Sequence, residues 1–189
     1  FGHEAVHDTF VAKLKDAVAA LRVGHGADEG VTVGPLINKA GCDKVAGLVD
    51  DAVASGAEAV IGGGRHGAGV GFYAPTILTG VTPEMTIAQA EVFGPVAPIF
   101  KFRDEAEVIR LANDTPYGLA AYFYARDLGR VFRVAEALEY GMIGINEGII
   151  STEVAPFGGV KQSGLGREGS KYGIDDYLET KYCLLGGLE

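Results

Sequence analysis

The sequence has 189 residues, of which 48% are hydrophobic and 22% are charged. This length corresponds to one domain, with room for a short arm, and the apolar content is enough to form a core, so wholesale disorder is excluded. Lys and Arg number 16 against 25 Asp and Glu, a net charge of -9 that argues against a nucleic-acid-binding role. No apolar run approaches the roughly 18 residues of a membrane span, and no signal-peptide pattern opens the chain, so we expect a soluble, cytoplasmic protein.

The first part of the chain contains helical patterns followed by strand patterns. Apolar residues at helical spacing predict two amphipathic helices, over residues 3–21 and 38–55. Short apolar runs bounded by Gly and Pro predict three strands, over residues 59–61, 72–78 and 96–102. The glycines between the first two strands predict a hairpin turn.

The next part alternates helices and strands. The pattern predicts helices over residues 104–112 and 128–138 and strands over residues 119–125 and 142–146. Strands that alternate with helices over short connections are typical of parallel βαβ units. The predicted fold class is therefore α/β with a parallel sheet.

The last part of the chain is rich in loops. After Gly148 a stretch of Gly, Pro and Ser precedes a helix predicted over residues 168–177. A final strand is predicted to begin at Lys181 and to end at Leu185. An isolated strand leaves its backbone groups unpaired, so this one needs a partner from another chain.

Residues 3–7 read His-Glu-Ala-Val-His, which matches H-E-x-x-H. In that motif two His side chains bind zinc on one helix face while the Glu activates water. Phe10 and Lys13 occupy the positions where the longer form of the motif has further residues, and both His share an arc with apolar side chains. We interpret them as packing residues and predict no metal site.

Residues 164–169 read Gly-Leu-Gly-Arg-Glu-Gly, which matches the dinucleotide-binding pattern G-x-G-x-x-G. That pattern requires a buried strand before it and a helix after it. Here a polar, Gly-rich and Pro-rich stretch precedes it, so we interpret it as a turn that leads into a helix.

The two cysteines are Cys42, near the start of the second predicted helix, and Cys183, in the last predicted strand. A nucleophilic cysteine needs an accessible, electropositive setting. Asp43 and the acidic composition oppose this at Cys42, and apolar neighbours surround Cys183. We predict that both are small core or interface residues.

Three polar segments remain that could form a site. Residues 91–96 read Glu-Val-Phe-Gly-Pro-Val, residues 113–120 read Asn-Asp-Thr-Pro-Tyr-Gly-Leu-Ala, and residues 156–168 read Pro-Phe-Gly-Gly-Val-Lys-Gln-Ser-Gly-Leu-Gly-Arg-Glu. A carboxylate at Glu91, ahead of an apolar strand, could accept two ribose hydroxyls. The alternative is a solvated Glu beside a core Phe93.

In this order and spacing, the three segments resemble the C-terminal part of the aldehyde dehydrogenase superfamily, from Phe1 to Leu188. Residues 144–151, Gly-Ile-Asn-Glu-Gly-Ile-Ile-Ser, together with residues 169–175, are similar to the succinate-semialdehyde branch. The resemblance implies an enzyme that uses NAD or NADP and a cysteine thioester. In the family the Rossmann domain, the glutamate base and the nucleophile all precede the point matched by Phe1. Residues 1–179 would then be part of the catalytic domain and residues 180–189 an oligomerisation arm.

The resemblance also implies roles for individual residues. Glu91 would bind the nicotinamide ribose, and Phe93 would pack near the nicotinamide with Leu119 as a further candidate. Ser151 would help to hold the distal carboxylate of the substrate, and Phe157 would line the aldehyde tunnel.

Two further roles follow from the resemblance. Glu168 matches a proposed proton relay, with a first-turn helix acid stabilised by the helix dipole as the alternative. The strand from Lys181 to Leu185 would pair across subunits in a homodimer or homotetramer.

The expected reaction is oxidation of succinate semialdehyde to succinate. Glutarate semialdehyde or another aldehyde is the alternative substrate. A non-catalytic assembly module is the alternative for a chain that is naturally this short. The cofactor preference between NAD and NADP stays open.

Overall fold

The computed structural model describes residues 1–187 and divides into two compact units, Phe1–Val108 and Ile109–Glu189. The fold is α/β, and its strands pair in both parallel and antiparallel fashion.

The two helices predicted for the first unit are confirmed. Helix α1 spans Glu4–Ala19 and helix α2 spans Lys39–Ala54. The Asn38 side chain caps α2 by accepting a hydrogen bond from the backbone N–H of Gly41 at 2.8 Å. Such a cap satisfies one of the backbone donors left unpaired in the first turn, which explains why the helix starts there.

The strands of the first unit form two small sheets. Strand β1 is Gly2–His3, β2 is Glu58–Ile61 and β3 is Thr76–Thr79; β4 is Val96–Pro98 and β5 is Lys101–Phe102. The predicted hairpin is confirmed by the antiparallel pairing of β2 with β3, and β4 adds to β3 in parallel. The predicted strand 96–102 is split, because its second part pairs with β1 instead. A short helix, α3, spans Thr86–Gln89.

The core of the first unit lies between α2 and the β2–β3–β4 sheet. Cys42, Val45 and Val49 on α2 are buried, and they belong to the same cluster as Tyr73 and Leu78. Full burial of an aliphatic side chain of this size contributes roughly 1.5–3 kcal/mol. The amphipathic pattern of the sequence places five residues on the inward face of α2: Val45, Leu48, Val49, Ala52 and Val53. The first four are buried, whereas Val53 is 44% exposed.

The later elements confirm the predicted βαβ unit. Their bounds are Glu105–Asn113 for α4, Tyr117–Gly118 for β6, Ala120–Phe123 for β7, Leu128–Ala137 for α5, Met142–Ile145 for β8 and Val160–Lys161 for β9. Strands β7 and β8 are parallel neighbours joined through α5. Strand β6 pairs with β9 in antiparallel fashion.

The predicted helix over residues 168–177 is wrong. Only a 3₁₀ turn forms there, at Asp175–Tyr177. Gly169 has φ of 68° and Ser170 has φ of 51°, so the backbone is left-handed where a right-handed helix would need to continue. The three glycines at 164, 166 and 169 all have positive φ, which makes this stretch a series of turns.

The strand predicted from Lys181 to Leu185 is also not formed within the described residues. Residues 178–187 have no helix or strand, and their side chains are exposed. A strand needs a ladder partner, and no neighbouring segment of the described chain supplies one. Residues 188 and 189 of the predicted arm lie outside the described residues.

Among residues 1–187, no helix combines the length and the apolar character that crossing a bilayer requires.

Candidate active site

Phe93 lies in a strained turn that points it into solvent. It has φ of 49° and is 78% exposed, an unusual state for a bulky residue. The residues on either side are held by the core: Val92 packs against the α2 cluster, and a Cβ on Gly94 would lie 2.6 Å from Cγ2 of Val45. Because the Val92 side chain and the Gly94 backbone pack against the core, Phe93 is turned outward. Strain of this kind is concentrated at ligand sites.

Glu91 lies two residues before Phe93, in the segment that leads into β4, and it is exposed. The alternative interpretation placed Phe93 in the core, and this is wrong; its other part, a solvated Glu91, agrees with the structure. An exposed carboxylate next to an exposed aromatic ring offers a hydroxyl acceptor and a flat apolar face.

A cleft of about 320 Å³ lies within the second unit. It brings together three of the residues selected from the sequence: Leu119, Phe157 and Glu168. Leu119 is 41% exposed directly before β7, and Phe157 is half-buried. The cleft thus combines apolar side chains with a carboxylate.

The cleft is held together by backbone pairing between Phe157 and Glu168. Each donates its N–H to the carbonyl of the other at 2.8 Å. The alternative role of Glu168 as a first-turn helix acid is therefore wrong, because Glu168 lies in this bridge and no α-helix follows it.

Arg167 stabilises the same loop, whereas the family resemblance matches it only to a position that supports the dimer interface. Its Nη1 donates to the carbonyls of Gly159 at 2.8 Å and Gly166 at 2.7 Å, and its backbone N–H donates to Oδ2 of Asp176 at 2.9 Å. Arg167 and Asp176 both line the cleft. The guanidinium therefore stabilises the shape of the loop. The cluster of glycines was the sequence signal for such tight turns.

Ser151 lies outside this cleft, in an exposed loop after β8. At the start of that loop the Glu147 carboxylate accepts hydrogen bonds from the backbone N–H groups of Ile149 and Gly148. These bonds stabilise the ionised form and lower the pKa of Glu147 below its ordinary value.

The two histidines of the H-E-x-x-H pattern do not share a helix face. His3 precedes α1, where its Nδ1 accepts the backbone N–H of Ala5 at 3.2 Å, while His7 is buried within α1. Within residues 1–187 no group of three or more His, Cys, Asp or Glu side chains is placed to hold a metal ion.

The cysteines differ in their settings. Cys42 is a buried core residue, as predicted, and Arg65 donates a hydrogen bond from Nη1 to its sulfur at 3.0 Å. This cationic neighbour was missed, because it comes from the hairpin turn 23 residues further along the chain. Cys183 is exposed in the described chain and not part of a core.

Comparison with known proteins identifies the family. Residues 1–183 match the model of the aldehyde dehydrogenase family. The chain belongs to this family.

Its relatives include proteins named as semialdehyde dehydrogenases. The chain is 60% identical over 185 residues to glutarate-semialdehyde dehydrogenase of Pseudomonas aeruginosa, covering 98% of this chain and 38% of the relative. It is 59% identical over 183 residues to succinate-semialdehyde dehydrogenase [NADP(+)] of Escherichia coli, covering 97% and 38%. A crystal structure of succinate-semialdehyde dehydrogenase from Burkholderia pseudomallei superposes with a TM-score of 0.91 at 63% identity, over 93% of this chain and 36% of that one. The chain thus spans well under half the length of these relatives.

Proposed function

We propose that the chain is the C-terminal part of a cytoplasmic NAD(P)-dependent semialdehyde dehydrogenase that oxidises succinate semialdehyde to succinate. The observation that carries this proposal is the convergence of Leu119, Phe157 and Glu168 on one cleft in a member of the aldehyde dehydrogenase family. A cleft that combines the apolar side chains of Leu119 and Phe157 with charged groups, among them Glu168, suits a small polar aldehyde.

The turn at Glu91 and Phe93 is suited to a nicotinamide nucleotide. NAD or NADP, when bound, supplies the hydride acceptor for the oxidation. In the proposal Glu91 accepts hydrogen bonds from the ribose hydroxyls and Phe93 packs its exposed ring near the nicotinamide. Leu119, in the second unit, is a further candidate for an apolar contact with the cofactor. The Escherichia coli relative carries NADP(+) in its name.

On the substrate side, Phe157 lines the path of the aldehyde and Glu168 relays a proton. Ser151 donates its hydroxyl hydrogen to the distal carboxylate of the substrate, together with arginines from the remainder of the enzyme. A hydrogen bond to a charged group contributes about 1.5–3 kcal/mol, which corresponds to roughly 10- to 150-fold in affinity.

Glutarate semialdehyde is the second candidate substrate. It is supported by the similarity of the chain to the glutarate-semialdehyde dehydrogenase of Pseudomonas aeruginosa. The two substrates differ by one methylene, and a pocket discriminates such a pair by roughly 10- to 200-fold. Steady-state kinetics of the full-length enzyme on both aldehydes would distinguish the candidates, since the preferred one should have the higher kcat/KM.

The role of Ser151 is tested with Ser151→Ala in the full-length enzyme. We expect kcat/KM for succinate semialdehyde to fall by at least about 10-fold, while an uncharged aldehyde of similar length is spared. Thr152→Ala is the matched control, because it removes the adjacent exposed hydroxyl. Equal losses on both aldehydes would mean that Ser151 only shapes its loop.

A further inference from the structure

Asn146 forms an unusual connection at the carboxyl end of β8. Its Oδ1 accepts a hydrogen bond from the backbone N–H of Ala125 at 2.9 Å, and its Nδ2 donates to the Ala125 carbonyl at 2.8 Å. Its own backbone N–H donates to the carbonyl of Phe123 at 2.9 Å. One side chain therefore satisfies both backbone groups of a residue 21 positions away.

This arrangement extends the pairing between β7 and β8 past the last regular rung. That rung pairs Phe123 with Ile145, and the next residue leaves the strand because Asn146 has φ of 56°. Asn tolerates the left-handed conformation better than most residues, since its short amide can bond locally. The backbone thus turns away while the side chain continues the ladder.

The loop that leaves the sheet at Asn146 carries Ser151. Two of the hydrogen bonds that hold this loop lie near its ends. Near its start the Glu147 carboxylate accepts the N–H of Gly148 at 2.8 Å, and further on the carbonyl of Glu153 accepts the N–H of Ser170 at 2.8 Å. The direction in which the loop starts is therefore set by Asn146.

We propose that Asn146 is a positioning residue for substrate selection: by bonding both backbone groups of Ala125 it fixes the base of the 147–152 loop, and through it the place of Ser151. This inference rests on the proposed function, because it assumes that Ser151 contacts the carboxylate of the semialdehyde. Asn146 itself need not touch the substrate.

The test replaces Asn146 with Gly in the full-length enzyme. Glycine accepts positive φ without strain, so Asn146→Gly removes the two side-chain hydrogen bonds and keeps the backbone conformation. We expect KM for the carboxylate-bearing semialdehyde to rise by about 5- to 30-fold relative to an uncharged aldehyde, with kcat much less affected. In a Ser151→Ala background the same change should cause no further loss of selectivity.

Asn113 offers a matched control within the second unit. Its Nδ2 donates to the Ala137 carbonyl at 2.8 Å and its Oδ1 accepts from the N–H of Glu139 at 2.9 Å. Like Asn146, it therefore makes two side-chain hydrogen bonds to backbone groups. Asn113 precedes β7 in the chain. It is the last residue of α4, so its backbone is helical and Ala can adopt the same conformation. We expect Asn113→Ala to lower stability without changing the selectivity ratio.

A second readout does not depend on catalysis. Amide hydrogen exchange of the chain should show faster exchange at residues 147–152 in Asn146→Gly and not in Asn113→Ala, and in the wild type the Ala125 N–H should be protected. An unprotected Ala125 N–H, or a selectivity ratio that Asn146→Gly leaves unchanged, would overturn the inference. Failure of the wild-type enzyme to prefer a carboxylate-bearing aldehyde would instead refute the proposed function.

Discussion

Arg65 places its guanidinium against the sulfur of Cys42, with Nη1 3.0 Å from Sγ, and also pairs through Nη2 with Asp43. From the sequence, no electropositive setting was expected at Cys42, and this is wrong. The accessible surface of Cys42 is nevertheless 0%. Burial, and not the absence of a cation, is therefore what argues against a nucleophilic role for this thiol.

The first prediction is that the isolated chain does not oxidise aldehydes. Cys42 is inaccessible, Cys183 lies in the exposed C-terminal segment, and no nucleotide domain is expected in the chain. Titration with a chromogenic disulfide should show one thiol, Cys183, that reacts fast. The second thiol, Cys42, should react slowly, because it becomes accessible only when the core opens locally.

Cys183→Ser should remove only the fast phase of that titration, and Cys42→Ser only the slow phase. NADH formation by the purified chain that disappears in either variant would contradict the prediction.

The second prediction concerns the buried hydroxyl of Tyr73. Tyr73 is 1% exposed, and its Oη has no hydrogen-bond partner among the described residues. Burial, with a further contribution from the charge of Asp50, raises the pKa of Tyr73 above its ordinary value of 10.0. Because an unpaired buried hydroxyl destabilises the fold, Tyr73→Phe should increase the free energy of unfolding at pH 7 by about 1 kcal/mol.

The sign of the pH dependence follows from linkage. A raised folded-state pKa means that the folded state keeps the Tyr73 proton after the unfolded state has lost it. The free energy of unfolding therefore keeps its full value below pH 10 and decreases as the pH rises through the folded-state pKa. Urea unfolding at several pH values should therefore show a smaller loss of stability above pH 10 in Tyr73→Phe than in the wild type.

Tyr140 provides the contrast. Its hydroxyl donates to the Ala112 carbonyl, so Tyr140→Phe should destabilise the chain at pH 7 by about 1 kcal/mol. If both variants were destabilised equally at pH 7, the Tyr73 hydroxyl would have a bonding partner in solution.

The third prediction concerns assembly. Residues 178–187 expose Tyr182, Leu184 and Leu185 without forming a strand. If this arm pairs across subunits, the full-length enzyme truncated after Tyr177 should lose its symmetric interface. Light scattering should then report a smaller particle than for the intact enzyme, and an unchanged mass would reject the role of the arm.

The sequence predicted the elements with strong periodicity and failed where backbone conformation depends on single residues. The face of α2 and the β7–α5–β8 unit were readable because burial imposes a repeating pattern along many residues. The helix over residues 168–177 was not excluded, because left-handed Ser170 gives no compositional signal. Asn146 was assigned to a strand for the same reason.

The candidate site shows the same division. The family resemblance led to Leu119, Phe157 and Glu168, which one cleft brings together. Arg65 was missed because its partner lies on another element, and a single sequence carries no record of such long-range pairs. The outward orientation of Phe93 results from packing of Val92 and Gly94, which the sequence pattern alone does not reveal.

The fourth prediction is a trade between stability and cofactor binding at Phe93. A bulky residue in the left-handed region costs roughly 1–2 kcal/mol, while glycine loses about 0.5–1 kcal/mol more backbone entropy on folding than alanine does. Since Phe93 is 78% exposed, little burial is lost on its removal. Phe93→Gly should therefore leave the chain as stable as the wild type or more stable by up to about 1 kcal/mol, and yet weaken the binding of NAD(P) by the full-length enzyme.

Glu91→Gln is the partner variant, because it keeps the size of the side chain and weakens only a charge-assisted hydrogen bond. It should leave stability unchanged, weaken cofactor binding and slow cleavage of the aldehyde C–H bond, since misplacement by about 1 Å can cost on the order of 100-fold in rate. Thermal unfolding, fluorescence titration with NADPH or NADH, and turnover of a deuterated aldehyde measure the three quantities. The primary isotope effect should appear or grow in Glu91→Gln.

If Phe93→Gly is destabilised while both variants keep wild-type cofactor affinity and isotope effect, the turn at residues 91–94 is a structural element and the cofactor contacts lie elsewhere.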